Sequence, residues 1–125
     1  MHKIAIVDDI SIARVGSKFL QNNGCGCHVD VFEREDAFFR QADGYDVVVL
    51  DVDFRHRPDV DSIQTYLKEH PGTRLILTSA DNGCAGYAVD LNASILHKPY
   101  DRNQFCSSVC RGCCDKLSVG KLTGA

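Results

Sequence analysis

The chain has 125 residues, 44% of them apolar and 25% charged, with a formal net charge of −3. That length suffices to bury roughly two thirds of the unfolded surface around one core, and the composition excludes a disordered chain. A negative balance without a Lys/Arg stripe excludes an electrostatic footprint for nucleic acid, so no DNA binding is expected.

The N-terminal MHKIAIVDDI has too short an apolar run before its acids for a signal peptide, and no stretch holds the ~18 consecutive apolar residues of a membrane span. A cytoplasmic protein with no membrane partner is expected. The seven cysteines are odd in number and accompany a full-sized apolar core, which favours reduced thiols over a disulfide framework.

In chain order, Lys3–Val7 reads as a buried strand. Ile12, Val15, Phe19 and Leu20 then recur on one face of a helix that Gly24 stops. His28–Phe32 is a second strand and 33–41 a short helix. A third strand spans 47–50, and Ile63, Tyr66 and Leu67 mark a helix running to about His70, ended by Pro71-Gly72. Strands are predicted at 74–77 and 95–97, with room between them only for a brief, glycine-weakened helix. Asp101 is a plausible N-cap for a last helix over 101–117. Residues 1–118 form one domain in this reading and 119–125 a frayed tail.

Five apolar strands separated by helices predict an α/β doubly wound parallel sheet with helices on both faces. Ligands of such sheets bind beyond the carboxyl ends of the strands, so the residues there carry the chemistry. The first strand ends in Asp8-Asp9, the third in Asp51, the fourth in Thr78-Ser79-Ala80 and the fifth in Lys98-Pro99. Clustered carboxylates repel one another unless a cation joins them, and Mg²⁺ is commonly held by one or two carboxylates plus phosphate oxygens. Asp8 and Asp9 are the expected metal acids. Asp51, alone at the tip of the central strand, is the best nucleophile toward phosphorus, with Lys98 and a hydroxyl to neutralise the transferring group.

IAIVDDI, VVVLDVDF, LTSA and LHKPY, in this order, resemble the receiver domain of two-component response regulators over about residues 3–117. The resemblance implies a flavodoxin-like (βα)5 fold with strand order 2-1-3-4-5. It also implies phosphorylation of Asp51, dependent on Mg²⁺ (or Mn²⁺), with a histidine kinase or histidine phosphotransfer protein as donor. Asp8 and Asp9 match the metal-binding acidic pair, Asp51 the phosphoacceptor and further metal ligand, Lys98 the phosphate-binding lysine and Pro99 the proline joined to it by a cis peptide. The backbone carbonyl of Asp53 matches the remaining protein metal contact, its carboxylate being an addition. Ser79, just before the small Ala80, is the first choice for the switch hydroxyl and Thr78 the second. Arg55 and Asp59 stand where the family often has Pro and Gly, and Ile95 stands where an aromatic often precedes the lysine. The 79–98 segment is short and holds Gly83 and Gly86, which suggests a rewired partner surface.

Cys110 and Cys113 have the C-x-x-C spacing of zinc sites, and CGCH at 25–28 could contribute ligands. Phe105, Cys106, Val109, Cys110, Cys113 and Leu117 share one helical face, however, which favours packing. His28, His56, His70 and His97 read as surface residues. The leading expectation is a stand-alone phosphoacceptor receiver that catalyses its own phosphorylation and dephosphorylation and either acts through an effector protein or passes the phosphoryl group on in a phosphorelay. The alternatives are an interaction module on the same fold that is never phosphorylated, or a thiol- or zinc-responsive sensor.

Overall fold

The computed structural model describes residues 2–24, 26–41, 43–52, 60–80 and 85–110. Five apolar runs form strands β1 (Lys3–Val7), β2 (His28–Phe32), β3 (Val47–Asp51), β4 (Arg74–Ser79) and β5 (Ser94–His97). The segments between and after them form helices α1 (Ile10–Asn22), α2 (Glu35–Gln41), α3 (Val60–Glu69), α4 (Ala85–Leu91) and α5 (Arg102–Val109). The strands pair, all parallel, into one sheet of order β2-β1-β3-β4-β5. This is the flavodoxin-like order expected from the motifs.

Strand alternation divides the apolar residues between two cores. Ile4, Ile6, Val47, Val49 and Ile76 pack with Ala13 and Leu20 of α1 and with Phe105 and Val109 of α5. Ala5, Val7, Val48, Leu50 and Leu77 pack on the other face with Phe38 of α2, Ile63 of α3 and Leu91 of α4. Because both faces are covered, β3 is buried throughout. Edge strand β2 is only half covered, and this explains its polar Asp30, whose carboxylate accepts a 2.7 Å hydrogen bond from the Tyr45 hydroxyl.

Several element boundaries differ from the sequence reading; β5 opens one residue early, at Ser94. β3 extends through Asp51 and β4 through Ser79 because β4 lies between two partners, with Asp51 opposite Thr78 and Ser79 opposite His97, so the ladder continues past the last large apolar residue. α2 begins at Glu35 rather than at position 33. At α5, the Asp101 side chain accepts from the Gln104 amide while the Gln104 side chain accepts from the Asp101 amide, a reciprocal cap that fixes the start. Its expected continuation over 111–117 and the tail 119–125 lie outside the described residues.

Two contacts fix α5 on the sheet. Arg74, opening β4, donates to the carbonyls of Ser108 and Val109 at 2.9 and 2.8 Å, placing a cation at the electronegative end of the helix. At the other contact, Gly16 in α1 lets the Phe105 ring approach the helix backbone. A Cβ there would lie 2.9 Å from Phe105 Cζ and 3.2 Å from Ile6 Cδ1. Phe105 is fully buried and stacks on Tyr100 with centroids 5.2 Å apart, so it has no free space to enter. Gly16→Ala should therefore destabilise the fold by roughly 1–3 kcal/mol despite the better helix propensity of alanine. Adding Phe105→Leu should recover part of that loss in urea unfolding, whereas equal stability of Gly16→Ala and parent would refute the close approach.

Candidate functional site

All five strands run the same way, so their carboxyl ends share one edge of the sheet. β1 and β3 pair Val7 with Leu50, which sets Asp8 beside Asp51. β4 and β5 pair Ser79 with His97, and the Lys98 amide donates to the Ser79 carbonyl at 2.8 Å. The Lys98–Pro99 peptide is cis. Lys98 thereby reaches back over the end of the sheet toward β3 and β1.

Lys98 Nζ stands 3.1 Å from Asp8 Oδ2 and 3.2 Å from Asp51 Oδ1. Both carboxylates are almost fully buried. Burial, then the nearby Asp51 charge, push the Asp8 carboxyl up to about 6, with Lys98 partly opposing and a hydrogen bond to Asp51 adding to the rise. Burial alone would lower the Lys98 pKa, but the two carboxylates raise it above its usual value. Among the described residues one ammonium thus serves two acids.

The remaining predicted residues divide by position. The Asp9 side chain accepts a 3.0 Å hydrogen bond from the Ser11 amide and caps α1, while its own N–H donates to Asp8 Oδ1 at 2.6 Å. Thr78 and Ser79 are both fully buried. By alternation Thr78 lies on the face of Val49, Ile76 and Asp51, directly opposite Asp51 in the ladder, whereas Ser79 lies on the face of Leu77. Among the described residues the buried Thr78 Oγ1 has no hydrogen-bond partner. Asp53 falls in 53–59, outside the described residues, as do Arg55, His56, Pro58 and Asp59.

Tyr100 was not singled out by the sequence reading. Burial and then the charges of Asp8 and Asp51 push its hydroxyl up to about 12, so its phenol feels the same cluster. Its place two residues after the candidate lysine was the available signal.

Among the described residues no three His, Cys, Asp or Glu side chains converge into a ready-made metal cage. The site suits a hard cation of another kind. Two buried carboxylates that share one ammonium, and a hydroxyl without a partner among the described residues, match the partial protein shell of Mg²⁺, which leaves room for water and phosphate oxygens. Asp8 and Asp51 would hold it, with Asp9 turned to the helix. Cys106 and Cys110 are buried in the α1/α5 core, and Cys106 Sγ donates to the Phe19 carbonyl at 3.6 Å. Cys25, Cys84, Cys113 and Cys114 lie outside the described residues. No helix among the described residues is long and apolar enough to cross a membrane.

No protein-family model and no curated protein matches the sequence. Solved structures do match. The response regulator DrrB of Thermotoga maritima, described as an OmpR/PhoB homolog, is 26% identical with a TM-score of 0.75, covering 89% of this chain and 52% of that one. The BeF3-activated DrrB receiver domain alone is 26% identical with a TM-score of 0.70, covering 82% of this chain and 89% of that one. A response regulator receiver protein from Burkholderia phymatum is 25% identical with a TM-score of 0.72, covering 90% and 95% of the two chains. These likenesses extend over most of the chain, and its fold is that of the receiver domains of response regulators.

Proposed function

We propose that the chain is a phosphoacceptor switch in which Asp51 receives a phosphoryl group from a phosphohistidine of a histidine kinase or histidine phosphotransfer protein. The observation that carries this reading is Lys98 set between the buried Asp8 and Asp51, within 3.2 Å of both. An Asp51 oxygen attacks phosphorus, the O–P bond forms as the N–P bond of the donor breaks, and the released imidazole keeps or takes up a proton. Phosphoryl transfer needs positioning and charge neutralisation more than covalent assistance. Lys98 would neutralise one equatorial oxygen and Asp8 would share the cation. Mg²⁺ or Mn²⁺, when bound, supplies the remaining positive charge on the phosphoryl oxygens. The buried, unpartnered Oγ1 of Thr78 supports Thr78 over Ser79 as the hydroxyl that meets the phosphoryl group.

The first turns of α1 leave apolar surface beside the pocket, with Ile12 39% and Val15 46% exposed. A protein donor bringing its histidine to Asp51 would cover them. Its effector partner would then read the phosphorylated state.

Incubation with Mg²⁺ and acetyl phosphate should add one phosphoryl group, read by intact mass, and Asp51→Asn should abolish it. A missing adduct on the parent chain, or one that persists in Asp51→Asn, would leave the never-phosphorylated interaction module as the better reading. Lys98→Ala should slow the reaction on the order of 10²-fold. Thr78→Ala should prolong or shorten the lifetime of the adduct while Ser79→Ala leaves it near the parent value; the reverse pattern would return the role to Ser79.

The raised Asp8 carboxyl has a stability consequence in metal-free buffer. The folded state keeps a proton, up to about pH 6, that the unfolded chain loses near 3.8. Between those values the folded state binds more protons, so stability falls as pH rises and stays lower above about 6. Asp8→Asn should flatten this slope and, at pH 7, stabilise the metal-free protein by roughly 1–2 kcal/mol while impairing phosphorylation. A variant less stable than its parent at pH 7 would show that Lys98 fully compensates Asp8.

A further inference from the structure

The sheet face opposite α1 and α5 holds a second recess. Between α2 and α3 runs a groove of about 320 Å³ whose lining includes Phe39, Ser62, Tyr66 and His70. A second hollow of about 350 Å³ shares Phe39 and Ser62 and continues past Glu35 and Arg40. On α3 the residues fall into two rows at i, i+4 spacing. Ser62, Tyr66 and His70 form the floor, and Asp61, Thr65 and Glu69 form an exposed rim.

The floor is aromatic and preformed. Tyr66 packs against Phe39 with centroids 6.4 Å apart and against His70 at 4.5 Å. Its hydroxyl donates to the Asp43 carbonyl at 3.0 Å and accepts from the Tyr45 amide at 3.1 Å, so the ring cannot swing. An occupant meets a rigid apolar surface and pays little reorganisation.

The two walls differ in charge. On α2, Asp36 is already paired with Arg34 at 3.4 Å and Arg40 at 3.0 Å. On α3, Asp61 and Glu69 take part in no ion pair among the described residues. They stand eight residues apart on one helix, about 12 Å along its axis, at the two ends of the aromatic floor.

We propose that this groove docks a basic segment of a partner protein, one that lays an apolar side chain on Phe39 and Tyr66 between two cationic side chains directed at Asp61 and Glu69. Charge decides the occupant. The chain itself carries a net charge of −3, so a second copy approaching this acidic rim is repelled, whereas a Lys- or Arg-bearing segment is attracted. A helix with cations one heptad apart spans about 10.5 Å along its axis, close to the rise of about 12 Å between Asp61 and Glu69. The site lies on the other face from Ile12 and Val15, so it can be filled while Asp51 receives its phosphoryl group, and it does not depend on that reaction.

The test uses the full chain and a synthetic 15-residue amphipathic peptide with lysines seven positions apart around leucine. Amide shifts on titration should concentrate at residues 35–40 and 61–70. The Asp61→Asn/Glu69→Gln double variant should bind at least tenfold more weakly, Thr65→Lys should weaken binding similarly, and a peptide with glutamates for the lysines should not bind. Melting curves and acetyl-phosphate labelling of Asp51 should be unchanged in these surface variants. Shifts centred elsewhere, equal affinity of parent and double variant, or a concentration-dependent dimer of the chain alone with the same residues shifted would overturn the proposal.

Discussion

The arrangement on which the rest of the structure depends is one ammonium held between two buried carboxylates. Moving an isolated carboxylate into a protein interior costs several kcal/mol, and two side by side cost more. Lys98 offsets this incompletely, which is why Asp8 holds its proton up to about pH 6. The cluster persists because each member is fixed by backbone elsewhere. Asp51 is the last residue of the buried strand β3, Asp8 directly follows β1, and Lys98 is tied by its amide to the end of β4. Parallel pairing brings together residues 90 positions apart in sequence at one edge.

The two helical layers serve that edge differently. On one face, Gly16 admits Phe105, Phe105 stacks on Tyr100, and Tyr100 follows Lys98-Pro99, so close packing of α1 on α5 reaches within two residues of the charged lysine. Arg74 secures the far end of α5. On the other face, the aromatic residues from α2, α3 and the sheet leave a recess whose acidic rim faces solvent. One layer is therefore suited to couple with the site and the other to present a surface.

Strand positions were legible in the sequence because uninterrupted runs such as Ile4-Ala5-Ile6-Val7 admit few other readings in a sheet covered on both sides. The site residues were legible because several strand ends coincided, each weak alone. What the sequence did not carry was side-chain direction. Asp8 and Asp9 are neighbours with equal chemistry, yet one enters the cluster and the other caps α1, a choice made by where the helix begins. Thr78 and Ser79 differ likewise, since their faces follow from how far the β4 ladder extends past Leu77. The α2/α3 groove was invisible for a related reason: it arises between helices remote in sequence, and helical periodicity reports only which face of each is apolar.

The incomplete neutralisation at the edge also explains how a local reaction can change a whole face. Lys98 divides its charge between two acids of equal formal charge, a balance that any added charge upsets. A phosphoryl group on Asp51 replaces a single negative charge by one of about −1.5 to −2 and adds acceptor oxygens. The position of lowest energy for the Lys98 ammonium would then move toward Asp51, and Asp8 would lose part of its partner. Because Lys98 joins β5 to α5 through the short segment ending at the Asp101 cap, a shift of its anchor acts on both elements. The buried hydroxyl of Thr78, on β4, would find an acceptor in the same event. Two neighbouring strands are thus pulled toward one new charge, the kind of differential contact that a conformational switch requires.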